Sequence, residues 1–303
     1  MSRVLCLGDV MVDVLARLPG PLMTGSDTPS PITVLGGGSA ANTAAWLGVD
    51  GTPVTLVGRT GDDAHGRGQR VQLIASGVTL ALGIDTVRPT GTCIVLVDVN
   101  GERTMIPDAG ANAGLTAAHL PTERFVAGDH LHVSGYALFG RARPAALRAF
   151  ELAREVGMTI SVGAGSSAPL RNAGAETFLG WLGPEVLLFA NRSEAAVLTG
   201  HDDPLVAARK LAARIGRVVV TCGPAGAVWC DGGEPVEFAT SPADVVDSTG
   251  AGDAFAAGAI AALLTGASPL DAMARGHALA MRACATVGGR PPIGRAPAAS
   301  PTG

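Results

Sequence analysis

Short apolar runs of strand length alternate with helical patterns along most of the chain, and this rhythm restricts the fold more than any other feature. The runs Val4–Leu7, Val54–Gly58, Leu131–Val133, Met158–Val162, Val186–Phe189 and Val218–Thr221 are almost wholly apolar, as strands buried on both faces are. Helical patterns fall between them at Ser39–Leu47, Gly66–Ala75, Arg143–Val156, Glu176–Leu182, Ser193–Leu198 and Pro204–Ile215. Gly48, Gly77, Gly157, Gly200 and Gly216 follow helical runs where C-caps are expected. The alternation predicts an α/β fold: a doubly wound, mainly parallel sheet with helices on both faces. Ligands of such sheets bind at the carboxyl ends of the strands.

Two stretches break the rhythm. Thr92–Asp98 and Glu102–Ile106 flank Asn100-Gly101, a hairpin signal, and Arg17–Leu35 is rich in Pro, Gly, Thr and Ser and suits edge strands. Together they predict either a small β-lid beside the sheet or an ordinary edge decoration. The expected division is a core of 1–13, 37–88 and 108–290, a lid of 14–36 and 89–107, and a flexible tail over 291–303. A second hairpin is expected at Ala227–Cys230 and Val236–Ala239, around Asp231-Gly232-Gly233.

Composition removes several function classes. A net charge of −4 over 303 residues, with arginines dispersed, leaves no basic patch for nucleic acid or an anionic membrane. No apolar segment approaches the ~20 residues of a membrane span. Lys210 is the only lysine and sits in an amphipathic helical pattern as a solvated residue, so a phosphate-loop or Schiff-base lysine has no candidate. Cys6, Cys93, Cys222, Cys230 and Cys284 show no metal-ligand spacing and read as buried free thiols, which fits a reducing cytoplasm. The chain enters a strand-like run at once, with no charged-then-apolar leader. His130 and His132, two apart in a strand pattern, read as structural.

The stretch DSTGAGDAFAAG, Asp247–Gly258, carries the chemistry. Small residues lead into a helix-like run, and Asp253 stands at the junction. Backbone amides at a helix start attract anions. On the residues alone, Asp253 is either a helix cap or a base facing a bound phosphate. As a phosphoryl-transfer site, the amides of Gly250, Ala251 and Gly252 would meet the phosphoryl group and Asp253 would take the hydroxyl proton. A dinucleotide fingerprint fits less well: Gly258 follows Gly252 by six residues rather than three, although Asp271 lies about twenty residues on.

Several short stretches, in order, resemble the ribokinase-like (PfkB) family of sugar and nucleoside kinases. They are GDVMVD (Gly8–Asp13), GGGSAANTAAWLG with VGRTGDDAHG (Gly36–Gly66), DAGAN (Asp108–Asn112), NRSE (Asn191–Glu194), TCGPAG (Thr221–Gly226) and DSTGAGDAF. The resemblance runs from Gly8 to the region of residue 290. It implies an ATP- and Mg²⁺-dependent kinase in which Asp253 is the base and the Gly250–Asp253 amides form the anion hole.

The same resemblance places Asp13, at the end of the first strand, with Gly37, Gly38 and Asn42 on the sugar. It places Asn191 and Glu194 on Mg²⁺ through water, and Thr221, Gly223, Gly226 and His277 on the nucleotide. Asp247 and Thr249 match positions that help bind a monovalent cation, K⁺, in some members. Met11 and Ser39 stand where ribokinases proper carry asparagine and lysine, which turns the expectation away from ribose. Tyr136 in VSGYALF keeps a nucleoside acceptor open, and the lid can pair two subunits into a homodimer. A kinase fold that binds without catalysis and a nucleotide-dependent oxidoreductase are the competing readings.

Overall fold

Six of seven parallel strands in the main sheet fall on the six apolar runs of the sequence. The structure, a computed structural model, describes residues 2–240 and 244–292. In chain order the strands are β1 (Val4–Leu7), β2 (Met11–Arg17), β3 (Ile32–Gly37), β4 (Val54–Gly61), β5 (Thr79–Asp85), β6 (Gly91–Val97) and β7 (Arg103–Asp108). They continue as β8 (His130–Ser134), β9 (Thr159–Gly163), β10 (Val186–Asn191), β11 (Gly216–Thr221), β12 (Ala227–Cys230) and β13 (Val236–Phe238). The helices are α1 (Ser39–Val49), α2 (Ala64–Ala75), α3 (Tyr136–Phe139), α4 (Arg143–Val156) and α5 (Ser167–Ala173). After them come α6 (Ala175–Leu182), α7 (Arg192–Thr199), α8 (Pro204–Ile215), α9 (Ala251–Leu263) and α10 (Pro269–Cys284).

The main sheet runs β13-β12-β11-β10-β9-β8-β1-β4-β5, with β12 and β13 antiparallel at one edge. The chain winds from β1 toward β5 and from β8 toward β11, so the order reverses between β1 and β8, where doubly wound sheets open a binding crevice. Alternation along β1 shows how both faces are covered. Val4 and Cys6 join the core under α1, α9 and α10, and Leu5 and Leu7 join the core under α4, α6 and α8. Trp46 of α1 is fully buried in the first of these and donates from Nε1 to the Gly289 carbonyl (3.0 Å). Its loss would cost about 3–5 kcal/mol, the range for a buried aromatic. Gly258 and Gly276 let α9 and α10 touch, since a Cβ on Gly258 would lie 2.6 Å from the Arg275 carbonyl oxygen.

A second sheet, β3-β2-β6-β7, is the lid. It packs Met11, Leu15, Cys93 and Val95 on its inner face. The lid sheet begins at Met11, ahead of the expected boundary after residue 13, and runs through Gly37 and Asp108. Asp13 therefore lies within a lid strand rather than at the end of β1. The cause is Gly8, whose φ of +152° breaks the first strand and sends the chain into the lid.

The chain crosses between core and lid four times, and Asn112 ties three of the crossings. Its Oδ1 accepts from the Val10 amide (3.0 Å), and its Nδ2 donates to the carbonyls of Val10 and Ala109 (3.0 Å each). A Cβ on Gly91 would overlap that amide group. At the fourth crossing Gly38 packs against the Asp9 carbonyl.

Gly157, Gly200 and Gly216 end helices at positive φ, as expected. Gly48 does not: α1 continues through it, and its missing Cβ makes room for the Ser76 carbonyl. Among the described residues no helix is long and apolar enough to cross a membrane. The expected tail lies outside the described residues apart from Pro291 and Pro292.

Candidate active site

Asp253 is the third residue of α9, after the N-cap Gly250 at φ +72°. A Cβ on Gly250 would lie 2.5 Å from Gly289, so the turn admits only glycine. Gly250 has no side chain to cap the helix, and the amides of Gly252 and Asp253 have no hydrogen-bond partner among the described residues. The Ala251 amide turns back to the Ser248 carbonyl (3.3 Å), which removes it from the expected set of free donors. Gly252 is exposed, and a Cβ there would meet nothing within 4 Å.

The Asp253 carboxylate points away from its own helix end. Oδ1 accepts from Ser39 Oγ (2.8 Å) and Oδ2 from Asn42 Nδ2 (2.9 Å), both on the first turns of α1. Burial pushes its pKa up to about 7, assisted by the charges of Asp9 and Glu194 and opposed by the two hydrogen bonds. A carboxylate held in that range can exchange a proton near neutrality. Asn42 is buried and its Oδ1 has no partner.

Asp13 faces the same cleft from β2. A Cβ on Gly37 would collide with its carboxylate, so the missing side chain of Gly37 is what leaves room for it. Burial pushes Asp13 up to about 6; Arg290 pulls it down, while Asp9 and Asp247 push it further up. Arg290 donates to the Gly37 carbonyl (2.7 Å), and burial lowers its own proton affinity to about 10. Asp9 caps α1 through the amides of Ser39 (2.8 Å) and Ala40 (3.4 Å). Tyr136, at the β8 end, is 42% exposed and meets Phe139 edge-on. Burial pushes its hydroxyl well above the usual range, with Asp9, Asp253 and Glu194 adding to the shift.

Asn191 and Glu194 form a reciprocal cap on α7: Asn191 Oδ1 accepts from the Glu194 amide (2.9 Å), and Glu194 Oε2 accepts from the Asn191 amide (2.8 Å). The second Glu194 oxygen has no hydrogen-bond partner among the described residues, and burial raises the pKa of the group. Thr221 lies in register beside Asn191 on β11. Gly223 and Gly226 follow at φ +57° and +104°, and the missing Cβ of Gly226 clears the Phe238 carbonyl. His277 of α10 packs its ring on Phe238 (5.7 Å between centroids).

Asp247 is buried and Thr249 donates its amide to it (2.8 Å), but the cation beside Asp247 is Arg103 of the lid. The structure thus gathers Asp253, Asn42 and Ser39 in one group, Asp13 with Gly37 in a second, and Asn191, Glu194 and Thr221 in a third.

Other sequence features find structural places. His130 and His132 are buried on Ser161, with burial pulling them down to about 3 and about 4. Asp271 caps α10 with Ser268, which removes the acid a dinucleotide site would need. Asp63, from the second half of the N-terminal glycine motif, caps α2 at Gly66 and holds Thr90 (2.7 Å each). Lys210 is exposed. Four of the five cysteines are buried, Cys222 is half-buried, and all five are free.

Ser39, Asp9, Arg103 and Arg290 escape sequence reasoning. Ser39 left a signal there as a departure from the ribokinase pattern, and Asp9 lies within the GDVMVD stretch without a role of its own.

Comparison with known proteins identifies the family. The family described as pfkB family carbohydrate kinase matches residues 1–294. A fructokinase from Klebsiella pneumoniae is 30% identical, covering 92% of this chain and 91% of its own. An ATP-dependent ribose-1-phosphate kinase from Halopiger xanaduensis is 33% identical, covering 88% and 86%. The crystal structure of adenosine kinase from Sinorhizobium meliloti superposes with a TM-score of 0.87 at 27% identity, covering 96% of each chain.

Proposed function

We propose, from the premise that this chain belongs to the pfkB family of carbohydrate kinases, that it moves the γ-phosphate of ATP to a hydroxymethyl group of a small sugar or sugar-like acceptor. The observation that carries this reading is a carboxylate on the first turn of an uncapped helix, held by Ser39 and Asn42. The acceptor oxygen bonds to the γ-phosphorus as the bond to the β-phosphate bridging oxygen breaks and ADP leaves. Asp253 takes the hydroxyl proton. The amides of Gly252 and Asp253, with Gly250 behind them, face the charge on the phosphoryl oxygens.

Asp13, Gly37, Gly38 and Asn42 bind the acceptor in this reading; a carboxylate can accept from two adjacent hydroxyls, and Asn42 Oδ1 is an unspent acceptor. Thr221, Gly223, Gly226 and His277 line the nucleotide side. The free oxygen of Glu194 and the remaining lone pair of Asn191 Oδ1 form a hard, oxygen-only donor set suited to Mg²⁺. Among the described residues no cluster of three or more potential ligands exists, so water and phosphate would complete the coordination. Bound there, Mg²⁺ would neutralise phosphate charge.

A nucleoside acceptor is the second reading, favoured by the half-exposed Tyr136 ring at the crevice. Five free thiols suit a reducing cytoplasm. The outer lid face carries Val34, Val14, Ile94 and Ile106 in register across four strands, three of them more than 40% exposed. That apolar row fits a homodimer through the lid. Sedimentation should give a dimer that Ile94→Glu converts to monomer; a monomeric parent protein would end that part of the proposal.

The deciding experiment is an ADP-release screen with MgATP against pentoses, hexoses, keto-sugars, inositols, sugar phosphates and nucleosides. Phosphorylation of one class names the acceptor. Silence across the panel with ATP still bound would leave the non-catalytic reading standing in its place.

A further inference from the structure

The resemblance of Asp247 and Thr249 to a monovalent-cation site meets a contradiction in the structure. Both oxygens of the buried Asp247 face N–H donors. Oδ1 accepts from the Thr249 amide (2.8 Å) and from Arg103 Nη2, and Oδ2 accepts from the Gly288 amide (3.0 Å). Arg103 donates from its other terminal nitrogen to Ser248 Oγ (3.1 Å). A metal cation needs lone pairs aimed at it, and N–H groups take three of the four that this carboxylate offers, both of those on Oδ1 among them. A K⁺ ion beside Asp247 would also face a guanidinium of like charge. The residues present do not fit the ion.

Arg103 is the first residue of lid strand β7, 144 positions from its partner, and its side chain is 25% exposed against 4% for Asp247. The loop it grips has a second anchor: the amides of Val246 and Asp247 donate to the Cys284 carbonyl at the end of α10 (2.8 and 3.3 Å). Three residues beyond Asp247 lies Gly250, whose positive φ sets the direction of the α9 amides.

We propose that Arg103 is the permanent counter-charge of Asp247 and a positioning residue for the anion hole, so that the lid supplies the cation and the chain takes no monovalent metal ion there. Closing the lid and ordering the α9 entrance are then one event. When β7 moves away, Asp247 is left buried without its cation and the loop into Gly250 loses its outer anchor, a state the low-dielectric surroundings penalise. Removing the guanidinium acts on the hole through the loop and leaves the nucleotide's own contacts in place.

The turnover arm of the test rests on the kinase reading; the melting arm does not. The parent protein, Arg103→Met and Arg103→Lys are compared with MgATP at constant ionic strength in KCl, NaCl and tetramethylammonium chloride. The parent protein should melt and turn over alike in all three salts. Arg103→Met should lose about 10- to 100-fold in kcat, as misplacement of catalytic groups does, with ATP affinity unchanged. Arg103→Lys should recover most of that loss.

A K⁺-specific rise in the melting temperature or turnover of the parent protein overturns the proposal. So does an Arg103→Met protein that turns over at the parent rate. If Arg103→Met fails to fold, the salt comparison on the parent protein decides alone. If no protein phosphorylates any acceptor, the kinase reading fails and the melting comparison still decides the counter-charge.

Discussion

Helices α7 and α9 both start near the carboxyl ends of the main-sheet strands, and both carry an acid at their third residue, Glu194 and Asp253. Their ends behave in opposite ways. At α7 the N-cap is Asn191, and the acid reaches back to close a reciprocal cap. At α9 the N-cap is Gly250, which offers nothing to close, and the acid turns outward to Ser39 and Asn42 of another helix. An acid in the first turn does not by itself distinguish a cap from a reactive group. The residue three positions earlier does, because it decides whether the helix amides are spent or left open.

The contrast is broken most severely at Asp253. Asp253→Asn should lower kcat by about 10²–10⁴-fold, the range for losing a general base, while ATP binding survives. In the parent protein kcat/KM should fall as pH drops through about 7, where the carboxylate becomes protonated. Stability moves the other way. Asp253 and Asp13 bind their protons more tightly folded than unfolded, so their contribution declines as pH rises from about 4 toward about 7. Denaturant titrations across that window should show a shallower decline in Asp253→Asn; an identical slope would remove Asp253 as its source.

Gly252→Ala sharpens the comparison. The space is open and alanine favours a helix, so stability should hold or rise by up to about 1 kcal/mol. Turnover should nevertheless drop, since the methyl group enters the volume assigned to the phosphoryl group. A Gly252→Ala enzyme with parent kinetics would move the phosphate elsewhere. The smallest effect belongs to α7, where Asn191→Ala should cost about 0.5–2 kcal/mol as a lost cap and raise the Mg²⁺ concentration needed for half-maximal rate. Chemical denaturation and a Mg²⁺ titration separate the two consequences.

Much of the fold was legible because buried parallel strands and amphipathic helices write their periods directly into the chain; β10 and α8 are examples. Strand β5 was not, because TLALGID lies at the sheet edge, half-covered and mixed in polarity. Helix α10 escaped the periodic reading, and Gly48 misled it by serving a neighbouring carbonyl instead of ending a helix. Within the site, Asp253 was conspicuous through its glycine neighbours. Ser39 meets its partner across 214 positions and Arg290 across 253, and no local pattern records such encounters.

Asn112 has a mechanical consequence. A sheet fastened close to one amide behaves as a lever on a pin: it can turn, and it resists sliding. Displacement then grows with distance from the fulcrum, so a fluorophore at Asn100, in the β6–β7 turn, would sweep the longest arc while one near Gly91 hardly moved. The Arg103–Asp247 bridge acts as a catch well away from that pin. Releasing it would free rotation without unhinging the sheet.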